Sequence, residues 1–336
     1  MVAWRAEFGG LMVQNDLVSV LGSVPGAEVR VDEPLGDLTT YRIGGAARVL
    51  VQVADLESLV GVGRAIVDSG VDVVVLGRGS NVLVADSGFD GVVVRLGGSF
   101  EGVEIPMPSD PLAARAGSAA ALPVVARRTA AAGLGGFEWA VGVPGTIGGA
   151  VRMNAGGHGS DMAASISEAS VLRLGDDAAR VLSVDEIGFG FRSSGLQHLD
   201  VVLDAVIGLR RVDAATAEAE IDEIVRWRRE HQPGGQNCGS VFVNPVPGVV
   251  SAGQLIDGLG LRGLSEGTAT VADKHANFIL SSPGGAADDV VRLMARVRSA
   301  VLEGTGHDLR SEVRLLGFDE EVARGAGARR ATGEGH

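Results

Sequence analysis

Lysine is almost missing from this chain. Lys274 is the sole lysine, so nearly all of the 29 basic residues are arginines. They are outnumbered by 42 acidic residues, which leaves a formal net charge of −13. Nucleic acid is not an expected partner, because phosphate backbones are bound by concentrated positive charge. Cysteine is equally scarce. Cys238 stands alone, which excludes a disulfide within the chain and suits a reducing compartment. The first residues carry Arg5, Glu7 and Asp16 and lack a basic start followed by an unbroken apolar run, so no secretory signal is read there. No apolar stretch reaches the roughly 18 residues that a spanning helix needs. A cytoplasmic protein without membrane insertion is therefore the expectation. Aromatic residues are only 4% of the chain, so the core must rest on Val, Leu, Ile and Ala. No metal site is expected.

Glycine, by contrast, is abundant: 51 residues with no collagen-like period, about twice the usual share. That is the composition of a chain whose backbone approaches a ligand closely. A length of 336 residues allows two or three packed domains. Hydrophobic periodicity reads as strand over residues 48–53, helix over 56–67 and a continuous apolar strand over 71–76. Two β-like runs follow at 82–85 and 92–96, then a helix over 122–132 stopped by Gly133. Short strands resume at 170–174, 179–183 and 201–209. Near Val212 the texture changes, and an amphipathic helix over 217–229 opens another domain. Beyond it the pattern predicts helices at 252–259 and 286–302 and strands at 277–280 and 311–316. Residues 1–38 read as an extension with one short helix near Leu17 to Leu21, and 319–336 as a frayed polar tail.

Two glycine segments carry chemistry. Gly77-Arg78-Gly79-Ser80-Asn81 follows a buried-looking strand at once, where glycines let backbone N–H groups approach an anion. It is neither a Walker loop nor a G-x-G-x-x-G before a helix, and alone it fits a tight turn as well as a phosphate loop. The second runs from Gly142, Val143, Pro144, Gly145 and Thr146 through Gly148 and Gly149 to Asn154 and Gly156. Its side-chain-free surface suits a planar ring or a pyrophosphate.

In order, Thr40-Tyr-Arg-Ile-Gly-Gly45, Leu76-Gly-Arg-Gly-Ser-Asn81 and Gly142-Val-Pro-Gly-Thr-Ile-Gly-Gly149 resemble the FAD-binding half of the UDP-N-acetylenolpyruvoylglucosamine reductase family. Phe189-Gly-Phe-Arg-Ser193 is similar to that family's F-x-Y-R-x-S, Gly239-Ser-Val-Phe-Val-Asn-Pro245 to G-S-x-F-K-N-P, and Ser311-Glu-Val-Arg314 to P-E-V-R. The resemblance implies an α+β fold. A PCMH-type FAD-binding domain of the vanillyl-alcohol-oxidase class would occupy residues 39–211, in lobes of about 39–100 and 101–211. An α+β substrate-binding domain would occupy 212–318. It also implies that Gly77 to Asn81 and Gly142 to Gly149 wrap FAD, with Met153 to Gly156 near its ring. Residues 77–81 hold no His or Cys, so the flavin would be non-covalent.

The activity implied is NADPH-dependent reduction of UDP-N-acetylglucosamine enolpyruvate to UDP-N-acetylmuramate, a peptidoglycan precursor. Hydride from flavin N5 would be followed by a proton from Ser240, with the enolate stabilised by Arg192 and Glu312. The resemblance assigns Arg228, His231, Asn244, Lys274 and His275 to substrate binding. Two positions depart from the family pattern: His231 stands where lysine is common, and Val243 replaces a lysine or arginine. The short stretch between Arg192 and Val201 leaves no room for the tyrosine-bearing insertion of one family branch, and Tyr41 is the sole tyrosine. A monomer is expected. Two rivals stay open at this stage: an FAD oxidase of the same fold, and a flavin- or nucleotide-sugar-binding sensor without catalysis. Taken one at a time, Arg192, Ser240 and Glu312 would each read as an ordinary surface or turn residue; only their joint occurrence points to chemistry.

Overall fold

A computed structural model describes residues 16–332. The chain starts with helical residues 16–23 (α1), whose Leu17 and Leu21 are buried. Strand β1 (Ala27–Pro34) and strand β2 (Ala46–Val53) come next. Helix α2 (Leu56–Ser69) starts on a capping box between Asp55 and Ser58 and ends on Gly70 in the left-handed conformation. Strands β3 (Val73–Val75), β4 (Val82–Val84) and β5 (Phe89–Leu96) complete the first lobe. Its sheet has the order β1-β2-β5-β3, with only the β1–β2 pair antiparallel. The extension expected over residues 1–38 is thus corrected in part. Residues 27–34 form the edge strand of this sheet, where one mostly exposed face hides the apolar signal. Residues 1–15 lie outside the described part.

The second lobe contains β6 (Val103–Glu104), β7 (Ala113–Gly117), helices α3 (Leu122–Ala131) and α4 (Ile147–Met153), and strands β8 (Ile166–Arg173), β9 (Arg180–Ser183) and β10 (Asp200–Gly208). These strands form an antiparallel sheet in the order β9-β8-β10-β7-β6. Helix α5 (Ala214–His231) begins where a new domain is expected, yet its buried face of Ala217, Ile221 and Ile224 packs into the second lobe's core beside Leu122, Val125 and Trp139. Amphipathic periodicity shows that a face is buried, not against what.

The C-terminal part follows with α6 (Ala252–Gly258), then β11 (Ser265–Glu266), β12 (Ala269–Val271) and β13 (Ile279–Ser281) as a small antiparallel sheet. Helix α7 (Ala287–Thr305) covers them, and Val290, Met294 and Val297 share a core with Val271 and Ile279. Strand β14 (Arg314–Leu316), helix α8 (Glu320–Gly325) and strand β15 (Arg329–Arg330) close the described chain. Strand β14 pairs in parallel with both β4 of the first lobe and β15. The expected frayed tail is therefore ordered as far as residue 332, because Ala323 and Ala326 are buried in the C-terminal core. Tyr41 and Ile43 sit in that same core, tying the first lobe to the C-terminal domain. Among the described residues no helix is long and apolar enough to cross a membrane.

Candidate active site

A cavity of about 1280 Å³ is lined by both lobes and the C-terminal domain. The loop from Gly77 to Asn81 forms one wall and Val143 to Gly149 another. The two loops touch: a Cβ placed on Gly77 would stand 2.7 Å from Thr146 Oγ1. Gly79 has φ +57°, and a Cβ there would lie 2.5 Å from the carbonyl oxygen of Leu38, so no other residue fits. The N–H of Thr40 donates to the carbonyl of Gly79 (3.2 Å), which braces this loop with the segment that follows Leu38.

The second glycine segment is not all loop. Residues 147–153 form α4, with Thr146 Oγ1 accepting from the N–H of Gly149 and Asn154 ending the helix in the left-handed region. Gly148 lets that helix lie against Ser118, whose Cβ would be 2.9 Å from an added Cβ. Ser118 belongs to the cavity wall, and its hydroxyl is buried with no hydrogen-bond partner among the described residues. Such an orphan is costly unless a ligand meets it.

Arg192 projects from a tight turn in which Gly190 and Ser193 exchange backbone hydrogen bonds. Its own φ is +55°, a strained value for a residue with a side chain, of the kind found where position matters. The guanidinium donates to the carbonyls of Gly156 (2.9 Å) and Asn154 (3.4 Å), and its Nε stands 3.5 Å from Glu312 Oε2. Asn154 itself stands behind the cavity lining, between Met153 and Ala155, which belong to it. It is 4% exposed, its amide donates to the carbonyl of Gly190 (3.0 Å), and its Oδ1 accepts from the N–H of Ala163 (3.0 Å). Asn154 braces the turn that carries Arg192.

Ser240 and Glu312 are brought together by backbone pairing. Phe242 bridges Ser311 antiparallel, and the N–H of Glu312 donates to the carbonyl of Val241 (2.8 Å). The Asn81 amide donates to the carbonyl of Glu312 (2.9 Å), so the first glycine loop fastens this segment. Burial raises the Glu312 carboxyl above its ordinary value, while Arg192 and Arg310 pull it down. Arg192, Ser240 and Glu312 all line the one cavity. Cys238 lines it too, but burial pushes its thiol far up, away from the reactive thiolate.

Of the residues expected to hold substrate, only Arg228 reaches the wall. Gly142 lies behind it, 2.9 Å from the Arg228 Cδ by its would-be Cβ, and not at the lining itself. His231 is exposed, stacked on Trp227 at 4.6 Å, with Nδ1 on the carbonyl of Trp227. Asn244 accepts from the N–H of Ala252 at the start of α6 (3.1 Å). Lys274 donates to the carbonyl of Arg229 (2.6 Å), and His275 accepts at Nδ1 from the N–H of Asn277 (3.2 Å). These four groups are engaged in local contacts, outside the cavity lining.

Sequence reasoning passed over Trp227, which lines the cavity with the His158 ring edge-on at 5.1 Å; its place next to Arg228 was the available signal. It also passed over the charge of the lining. Nine arginines face the cavity against Glu101, Asp200 and Glu312. A chain that is acidic overall thus keeps a cationic interior cleft.

Two family models match. Residues 47–175 match an FAD binding domain. Residues 231–316 match the UDP-N-acetylenolpyruvoylglucosamine reductase C-terminal domain. A UDP-N-acetylenolpyruvoylglucosamine reductase 2 from Symbiobacterium thermophilum is 42% identical over 87% of this chain and 93% of its own length. A UDP-N-acetylenolpyruvoylglucosamine reductase from Halalkalibacterium halodurans is 37% identical over 90% and 99%. The crystal structure of such a reductase from Thermus caldophilus superposes with a TM-score of 0.73 at 32% identity, covering 86% of this chain and 98% of that one. With an FAD-binding domain, a reductase C-terminal domain and near full-length relatives, the chain belongs to the UDP-N-acetylenolpyruvoylglucosamine reductase family.

Proposed function

We propose that this chain reduces UDP-N-acetylglucosamine enolpyruvate to UDP-N-acetylmuramate with electrons from NADPH. The observation that carries this reading is the meeting of Arg192, Ser240 and Glu312, drawn from three distant segments, in one cavity walled by the two glycine loops. Those walls, the orphaned Ser118 hydroxyl and the excess of guanidinium groups fit FAD, an anionic dinucleotide with a flat ring. Backbone of Gly77 to Asn81 and of Val143 to Gly149 would hold it, without a covalent tether. When bound, FAD supplies the chemistry of taking a hydride from NADPH and passing it to the β-carbon of the enolpyruvyl ether.

The chain's own residues supply the rest. Arg192, fixed by two backbone carbonyls, pairs with the substrate carboxylate and stabilises the negative charge that grows there. Its turn and Asn154 fix that orientation before substrate arrives, so little reorganisation is needed. Glu312, held toward its neutral form by burial, donates a hydrogen bond to the same oxygens. The Ser240 hydroxyl gives its proton to the α-carbon and regains one from water. Arg228 meets the diphosphate of the nucleotide, and Trp227, packed between His231 and His158, adds an apolar wall beside it.

The test is anaerobic. The purified holoenzyme is reduced with NADPH, then mixed with the enolpyruvyl nucleotide while flavin absorbance is followed. Recovery of the oxidised spectrum with that compound supports the reading, and its failure to recover sinks it. A Ser240→Ala variant should still bleach with NADPH and recover slowly.

A further inference from the structure

The C-terminal strand extends the site beyond the residues 231–316 that match the reductase C-terminal domain. Helix α8 buries Ala323 and Ala326 in the C-terminal core, and β15 then adds in parallel to β14. In the resulting register Val82, Arg314 and Arg329 stand side by side, and all three line the cavity, with Arg330 next to them. Arg152 and Arg310 line the same cavity, close enough that they and Arg329 add to burial in holding the Arg314 guanidinium down to about 10.

Arg152, Arg310, Arg314, Arg329 and Arg330 make no ion pair among the described residues. Asp200, a carboxylate of the lining, is engaged by Arg173 and Arg180, and Glu312 by Arg192. Arg152, Arg314 and Arg329 are half-buried, with Arg310 and Arg330 exposed at their edge; like charges so placed with no counter-ion repel one another, and an anion between them relieves that cost. The row begins at Val82, the residue directly after the Gly77 to Asn81 loop, which locates the anion at that end of the cavity.

We propose that Arg329, flanked by Arg330, binds a phosphate of the dinucleotide held by that loop, so that the returning C-terminal strand is part of the FAD site. The inference rests on the FAD reading. It gives the polar C-terminal segment a ligand-binding role and makes flavin retention depend on the strand's docking.

The test is a titration of apoprotein with FAD and, in parallel, with riboflavin, which has the same ring and no phosphate. The double variant Arg329→Gln, Arg330→Gln should weaken FAD binding about tenfold or more, leave riboflavin binding unchanged and flatten the salt dependence of FAD affinity. Arg329→Lys should recover most of the loss, which a collapsed strand would not. If FAD affinity holds but KM for NADPH rises relative to NADH, the phosphate bound is the 2′-phosphate of the nicotinamide nucleotide, and the FAD assignment is overturned. Equal loss for FAD and riboflavin overturns the phosphate contact in favour of a packing role. No change in any of these overturns the proposal outright, while a native chain that takes up no FAD refutes the flavin reading instead.

Discussion

Replacing Glu312 by glutamine keeps the side chain's shape and removes the charge that faces Arg192. At the observed 3.5 Å, and with an effective dielectric of about 20, the gross attraction is about 5 kcal/mol. Yet burial raises this carboxyl in spite of Arg192 and Arg310, so desolvation offsets the attraction and the pair adds little net stability. Glu312→Gln should therefore unfold within about 1 kcal/mol of the native chain at pH 7. A raised carboxyl contributes stability that is full below its unfolded value and fades as pH climbs through the folded one. The difference between variant and native chain should accordingly move in the variant's favour as pH rises from about 4, the unfolded value, through the raised folded value. Catalysis gives the sharper reading. A neutral carboxyl can donate to the enolate and an ionised one cannot, so reoxidation of the flavin by substrate should slow in the native chain as pH passes the raised value. Glutamine cannot ionise, and its variant should show a flat profile over that limb, lower by about 10²-fold. Anaerobic stopped-flow absorbance across pH measures both limbs. An unchanged pH profile in Glu312→Gln, or an equal slowing of the NADPH step, would refute the assignment.

Three other changes separate positioning from contact. Asn154→Ala loses two 3.0 Å hydrogen bonds at a left-handed position and should cost about 2–3 kcal/mol in urea unfolding. It should also lower the substrate step through Arg192, and Asn154→Gly should recover the backbone share. Tyr41→Phe removes a buried hydroxyl that donates to the carbonyl of Ile279 (3.1 Å), at about 1–2 kcal/mol by thermal melting. Turnover at saturating substrate should stay unchanged, since this tyrosine ties the first lobe to the C-terminal domain and covers nothing. Trp227→Ala should raise KM for the nucleotide substrate about tenfold while leaving FAD affinity alone; weaker flavin binding in a titration would move Trp227 to the cofactor.

Local strings were the legible part of this molecule. The glycine loops and the segments around Arg192, Ser240 and Glu312 are readable because backbone freedom and charge are written in adjacent residues. What joins them was not. Strand β4 is three residues long and pairs with β14, more than two hundred positions away, and three apolar residues carry no statement of their partner. Helix α4 was masked by Gly148 and Gly149, ordinarily poor helix residues, although its caps at Thr146 and Asn154 and its contact with Ser118 hold it. Asn154, Asn244 and Lys274 show a different gap. An amide or ammonium in a motif can be spent on backbone groups as readily as on a ligand, and only coordinates distinguish the two.

The near absence of lysine has a physical counterpart in the cavity. Burial and three neighbouring guanidiniums bring Arg314 down to about 10, which leaves it charged at neutral pH. A lysine begins lower, near 10.4, and the same burial and repulsion would push it further down, toward its neutral form. A crowded set of cations that must stay charged without a ligand present therefore favours arginine at each position. Lys274 is consistent with this: it is exposed, outside the lining, with its ammonium on a backbone carbonyl. The same crowding makes the ligand's charge part of the cleft's stability. Affinity for phosphate-bearing ligands should fall steeply with ionic strength, although the chain as a whole carries −13.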